Sequence, residues 1–225
     1  MNILAIDTAG ELLSVGISTE AGVFSFDADA GTRHSELLFD AVDALTKLAR
    51  IEREAFDIFV CMKGPGSFTG LRIGFSAVKG MALALGKPFL SVPTLDCMAR
   101  PFAPCPYLCV PLLDAKQRRF FSALYRKGQR LSGYFDCGAE ELAGHIAGSL
   151  RETANPAERT VLLTGNGADP VRQALSCLLP DALVVTELPC GSRALRLLQY
   201  AKETYILKFM GDTRVSAPLY IRKSI

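Results

Sequence analysis

The residues able to do chemistry in this 225-residue chain are few. Its two histidines, His34 and His145, lie far apart in sequence. Neither belongs to an H-E-x-x-H, Ser-His-Asp or Cys-His arrangement, which disfavours hydrolysis by a familiar peptidase mechanism. Seven cysteines (Cys61, Cys97, Cys105, Cys109, Cys137, Cys177 and Cys190) include no C-x-x-C pair, and an odd number in apolar or loop surroundings reads as free thiols in a reducing compartment. Cys105 and Cys109 have no histidine near them, and no metal is expected. What remains is a pair of strand-end carboxylates and a glycine loop. Asp7 closes the apolar run Ile3-Leu-Ala-Ile, and Asp114 closes Val110-Pro-Leu-Leu. A carboxylate so placed can stand beside a metal and phosphate, or simply form a turn or cap. The loop, Gly64-Pro-Gly-Ser-Phe-Thr-Gly70, provides positions that tolerate positive φ and two good helix caps, Ser67 and Thr69. Such a turn can aim several N–H groups at an anion. It is no Walker motif, because Gly70 is followed by Leu71 and Arg72. A loop shaped for packing is the competing reading, and it carries more weight.

The elements that must position these residues follow from periodicity. Ile58 to Met62 reads as a strand buried on both faces, followed by the loop and a helix from about Leu71 to Gly86-Lys-Pro88. Gly70, Gly74, Ala77, Gly80, Ala82 and Ala84 make that helix rich in small residues. Interior glycine costs about 0.5–1 kcal/mol against alanine, so close packing against a neighbour is expected to repay it. A second helix, from about His34 to Arg50, carries Leu37, Leu38, Ala41, Val42, Leu45 and Leu48 as an apolar stripe, with Glu36, Asp40, Asp43 and Lys47 opposite. His34 is expected at the helix start as a capping or surface residue.

The chain also repeats itself. Strands at Asn2–Ile6, Leu13–Ser18 and Val23–Phe26 form a meander, and Leu108–Leu113, Phe120–Tyr125 and Leu131–Phe135 recur with the same order about a hundred residues later. In the second half, helices are expected near 139–151, 170–179 and 192–210, with strands at 160–164 and 183–185. Three prolines in Arg100–Pro106 mark a boundary, giving domains 1–102 and 103–225. The expected fold class is α/β: two βββαβα-type domains, the duplicated fold of actin, hexokinase and Hsp70.

Composition sets further bounds. Hydrophobic residues are 49% and charged residues 21%, with no low-complexity tract, as in an ordinary globular protein. A net charge of +2 leaves no basic footprint of the kind a stand-alone RNA binder carries. The N-terminal apolar run is too short for a signal peptide or membrane span, so a cytoplasmic location is expected.

The stretch Gly64 to Gly74 with Lys79-Gly80 resembles the signature of the TsaB (YeaZ) family, the dimerisation subunit of the bacterial machinery that makes threonylcarbamoyladenosine in tRNA. The likeness extends to Ile3–Thr8, His34-Ser-Glu-Leu-Leu38, Pro93-Thr-Leu95, Leu112-Leu-Asp-Ala115 and Pro218-Leu-Tyr-Ile-Arg222. It is carried mainly by the first half of the chain. The resemblance implies the same actin-like fold and a non-catalytic scaffold that binds a TsaD-like paralogue through its paired N-domain helices. It further implies a TsaE-like ATPase in the same complex, tRNA reached indirectly, and a homodimer in isolation. The partner interface is then expected at His34, Glu36, Leu37, Asp40, Ala41, Leu71, Arg72, Gly74, Phe75, Val78 and Lys79.

Active members of the actin-like fold bind ATP with the strand-end aspartates near the metal. Asp7, Thr8, Asp114, Lys116 and Gly165 would be the corresponding residues, read here as a vestigial nucleotide site. Asp7-Thr-Ala-Gly10 has one glycine, Asp114-Ala-Lys-Gln-Arg-Arg119 has none, and Gly165-Asn-Gly167 is the only candidate for a further nucleotide loop. No catalytic residue and no cofactor are expected, and ATP binding by this chain alone is disfavoured. An ATP-dependent kinase or ATPase of the same fold is the alternative, and a self-associating structural protein is a third.

Overall fold

The computed structural model describes residues 1–151, 159–187 and 192–208. Most of the polar break expected near 152–159, Cys190, the Pro218–Arg222 stretch and the last helix beyond residue 208 lie outside these residues. The chain forms two compact units.

The first unit contains β1 (Ile3–Asp7), β2 (Leu12–Thr19), β3 (Gly22–Asp29), α1 (His34–Ala49), β4 (Ile58–Gly64), α2 (Phe68–Ala84), β5 (Phe89–Pro93) and all but the last two residues of α3 (Thr94–Ala99). Its five-stranded sheet has the order β3-β2-β1-β4-β5. The first three strands are antiparallel, and β4 and β5 run parallel to β1. β1 is buried along its whole length, as its unbroken apolar sequence requires. On one face Leu38, Ala41, Val42 and Leu45 of α1 and Phe75, Val78 and Ala82 of α2 pack against Leu4, Ile6, Val15 and Phe59. The other face of β1 and β4 is covered by α6 (Arg193–Lys208), whose Leu197, Leu198 and Ala201 meet Ile3, Ala5, Ile58 and Val60.

That return of the chain corrects the expected division at 102/103. Unit 1 takes residues 1–97 and recovers α6, while unit 2 begins at Met98. The physical reason is that β1 and β4 are apolar on both faces and two helices cover only one. Gly16 marks the contact: a Cβ there would stand 2.9 Å from Leu198 Cδ1 and 3.0 Å from the Ala194 Cβ, so glycine lets α6 lie this close to β2 with neither residue shifting.

The second unit contains β6 (Leu108–Asp114), β7 (Arg119–Ser122), β8 (Tyr125–Arg126), β9 (Gln129–Arg130), β10 (Phe135–Gly138), α4 (Ala139–Arg151), β11 (Val161–Gly165), α5 (Ala168–Leu178) and β12 (Val184–Glu187). Its main path, β10-β7-β6-β11-β12, repeats the order of the first sheet, again with an antiparallel meander followed by two parallel strands. Each unit has the actin-like arrangement. The expected third strand at Leu131–Phe135 starts instead at Phe135, because residues 125–130 fold into an extra hairpin whose β8 pairs with β6. Leu142, Ile146 and Leu150 of α4 and Val171 and Leu175 of α5 cover one face of this sheet.

Candidate functional site

The glycine loop is built to bring α2 against the turn after β1. Ser67 caps the helix, accepting the Gly70 N–H at 3.2 Å, and its own N–H donates to the Ala9 carbonyl at 2.7 Å. Thr8 Oγ1 donates to the Gly70 carbonyl at 2.7 Å. Three glycines spaced four residues apart permit the approach. A Cβ would fall 2.5 Å from the Ala9 carbonyl oxygen at Gly66, 2.0 Å from the Thr8 carbonyl oxygen at Gly70, and 2.3 Å from Thr8 Oγ1 at Gly74. These three glycines therefore pack inside their own unit.

This corrects part of the expected partner surface. Gly74, Leu71, Phe75 and Val78 on α2 and His34 and Ala41 on α1 are buried within the first unit and present no side chain outward. His34 does not cap: Arg33 holds the cap position without a side-chain bond, and the His34 ring is 4% exposed with Nε2 buried. Glu36, Asp40, Arg72 and Lys79 are exposed, and Leu37 is half-buried.

Residues outside the sequence-based set complete that outer surface. Phe39 is 52% exposed and Leu83 82%, while a Cβ at Gly80 would meet nothing within 4 Å. Arg72 lies over the Phe68 ring at 3.8 Å. A cavity of about 50 Å³ opens between the helices, with Phe39 and Val42 of α1 facing Met81 and Leu85 from α2 and its cap. Phe39 was legible in principle, since it lies off the stripe formed by Leu38, Ala41, Val42 and Leu45. The outer face thus carries acid on α1, base on α2, and large apolar side chains on both.

The residues of the expected nucleotide turns fall into the two units. In the first, Asp7 is fully buried; its Oδ1 accepts the Ala9 N–H at 2.8 Å, and its Oδ2 lies 2.7 Å from Arg193 Nε of α6. In the second, Asp114 Oδ1 accepts the Lys116 N–H at 2.7 Å and its Oδ2 pairs with Lys116 Nζ at 3.0 Å, both side chains being largely exposed. The same two-residue turn thus closes the first strand of each unit. Lys116, Gln117 and Arg118 all have positive φ, a conformation that non-glycine residues adopt at a cost. Gly165 has φ +116°, and a Cβ there would lie 2.1 Å from the Leu112 carbonyl oxygen, so its role is close packing of β11 on β6. Among the described residues no cluster of three or more histidine, cysteine, aspartate or glutamate side chains could hold a metal. Burial, with the Asp7 charge adding to it, pushes the Cys61 and Cys97 thiols up to about 12. No helix among the described residues is long and apolar enough to cross a membrane.

Residues 27–186 match the family described as TsaD, tRNA N6-adenosine threonylcarbamoyltransferase. Over 127 residues the chain is 31% identical to the tRNA threonylcarbamoyladenosine biosynthesis protein TsaB of Bacillus subtilis. Over 100 residues it is 33% identical to the Escherichia coli protein of the same name. These matches cover 56% and 44% of this chain, and the chain spans about half the length of these curated relatives, 56% and 43%. Among solved structures, YeaZ from Pseudomonas aeruginosa superposes with a TM-score of 0.75 at 22% identity, covering 98% of this chain and 99% of that one, a likeness of fold.

Proposed function

Because the chain belongs to the TsaD threonylcarbamoyltransferase family, as one of its TsaB (YeaZ) members, we propose that it is a non-catalytic subunit that binds a TsaD-type partner. In that role it supports transfer of a threonylcarbamoyl group to the adenosine beside the tRNA anticodon. The observation that carries the reading is the outer face of α1 and α2, where Phe39 stands half-exposed at the mouth of an apolar cavity and Leu83 stands in solvent on α2. Large apolar side chains exposed together are the usual mark of an interface, and a cavity among them can receive an anchoring side chain.

The same surface suits self-association when the partner is absent. Glu36 and Asp40 on α1 and Arg72 and Lys79 on α2 are exposed, so a two-fold contact that sets α1 of one copy against α2 of the other brings opposite charges together. A TsaE-like ATPase would join the complex through its other subunits, and tRNA would be met indirectly.

Titration calorimetry of the purified chain with a TsaD-type threonylcarbamoyltransferase tests this. Phe39→Asp and Leu83→Glu should each weaken binding at least about tenfold, as expected for loss of a buried apolar anchor, with Leu83→Glu, at an 82% exposed position, leaving the melting temperature unchanged. Wild-type affinity in both folded variants would remove the reading. ATP hydrolysis by the purified chain, lost in Asp7→Ala, would favour the kinase or ATPase alternative.

A further inference from the structure

Asp7 is the carboxylate that the actin-like fold would set beside a nucleotide-bound divalent cation, and the residues around it do not fit that role. The carboxylate is fully buried; Oδ1 is taken by the Ala9 N–H, and Oδ2 faces a guanidinium from the same chain at 2.7 Å. The neighbouring groups are held as well, since the Thr8 hydroxyl donates to the Gly70 carbonyl and the Ala9 carbonyl accepts the Ser67 N–H. Arg193 Nε is not aligned as a hydrogen-bond donor on Oδ2, and its Nη2 is buried without a hydrogen-bond partner among the described residues. The contact is therefore an ion pair set by charge and packing. A fixed positive charge already neutralises the buried carboxylate of this turn.

We propose that Arg193 is a tethered cation that stands where a metal would at Asp7 and fastens α6 onto β1 without metal or nucleotide. Its place in the fold supports this. Arg193 is the first residue of α6, where the positive end of the helix disfavours a lone cation, and Asp7 offsets both charges. The next residue is fixed as well: the Ala194 N–H donates to Ser14 Oγ at 2.8 Å, and Ser192 Oγ lies 2.9 Å from the same hydroxyl. Leu197 and Leu198 then seat the helix on the sheet. The clasp thus pins the start of α6 to two adjacent strands, β1 through Asp7 and β2 through Ser14.

Thermal melting of wild type, Asp7→Asn, Arg193→Met, the double variant and Arg193→Lys tests the proposal. Removing one partner of a buried pair leaves a bare charge, whereas removing both does not, so Arg193→Met should lower the melting temperature by about 10 °C and the double variant should recover at least half of that. Arg193→Lys keeps the charge and should lose less than Arg193→Met. If Arg193→Met is unfolded at room temperature, a folded double variant supports the clasp and an unfolded one overturns it. An Arg193→Met protein as stable as wild type, or a double variant no better than the single, also overturns it. Millimolar Mg2+ or Mn2+, alone or with ADP, should leave the wild-type melting temperature unchanged. A rise that Asp7→Asn abolishes would show that Asp7 does take a metal, and the proposal would fall.

Discussion

Gly70 and Gly80 sit in one helix and have opposite tolerances. At Gly70 a Cβ would overlap the Thr8 carbonyl, part of a backbone that cannot step aside cheaply, so Gly70→Ala should cost about 1–3 kcal/mol, as overpacking does in a core. At Gly80 there is open space, and alanine should stabilise the helix by about 0.5–1 kcal/mol. Thermal melts should shift in opposite directions, by roughly 2–4 °C per kcal/mol for a chain of this size, and shifts of one sign would contradict the packing. The sequence made the close approach of this helix legible, because so many small residues must face something. It did not make the neighbour legible, since helical spacing tells which residues share a face and not what that face meets. The thiols behave according to burial. Cys61 and Cys97, held up near 12, and Cys137, pushed to about 11 by burial, should resist a thiol reagent at pH 8, while exposed Cys177 reacts faster than these three. A thiol whose folded pKa lies above its unfolded value of 9.0 favours folding fully below that value and loses the contribution as pH climbs toward the folded one. Stability measured by denaturant titration should therefore fall between pH 9 and 12, and less steeply in Cys97→Ala.

Among the elements, α1 and α2 divide their faces sharply. The apolar stripe of α1 was readable from its period, and Leu38, Ala41, Val42 and Leu45 are buried as that period requires. Leu48 extends the same arithmetic yet is exposed near the end of α1, and Phe39 breaks it altogether. For α2 the test of a partner surface belongs at Gly80 on the outer face. Gly80→Leu should keep the melting temperature within about 2 °C while weakening partner binding at least about tenfold, if the helix is approached closely there. An unchanged affinity would place the contact elsewhere on α1. Ser14→Ala should act on a different element, α6, by removing the acceptor of the Ala194 N–H; loss of a helix cap costs about 1 kcal/mol, or a few degrees of melting temperature, without touching partner affinity. The strands β8 and β9, two residues each, are too short to carry a period in the sequence.

Across the whole molecule, the duplication was the most legible feature. Two apolar strands that each end in aspartate and lead into a meander gave the paired sheets, and both sheets have the same strand order. The division between units was less so, because a proline-rich segment marks where the chain leaves one sheet and nothing in it says that a later helix comes back. The two-sided burial of β1 was the available signal: α1 and α2 can fill one face only, and some further element had to fill the other. That return has a temporal side. A ribosome delivers β1 to α3 before β6 to β12 and α6 after them, so the first unit is begun before the elements of the second and closed only after those have emerged. A chain stopped after residue 187 should accordingly protect the amides of β6 and β11 against hydrogen exchange while those of β1 and β4 exchange at least about a hundredfold faster than in the full chain. Equal protection of β1 in both would mean that the first sheet does not need its last helix. Until that helix arrives, Ile3, Ala5, Ile58 and Val60 form an apolar face that Leu71, Val92 and Cys97 cover only in part, which makes the nascent N-terminal half, rather than the finished protein, the form most in need of a chaperone.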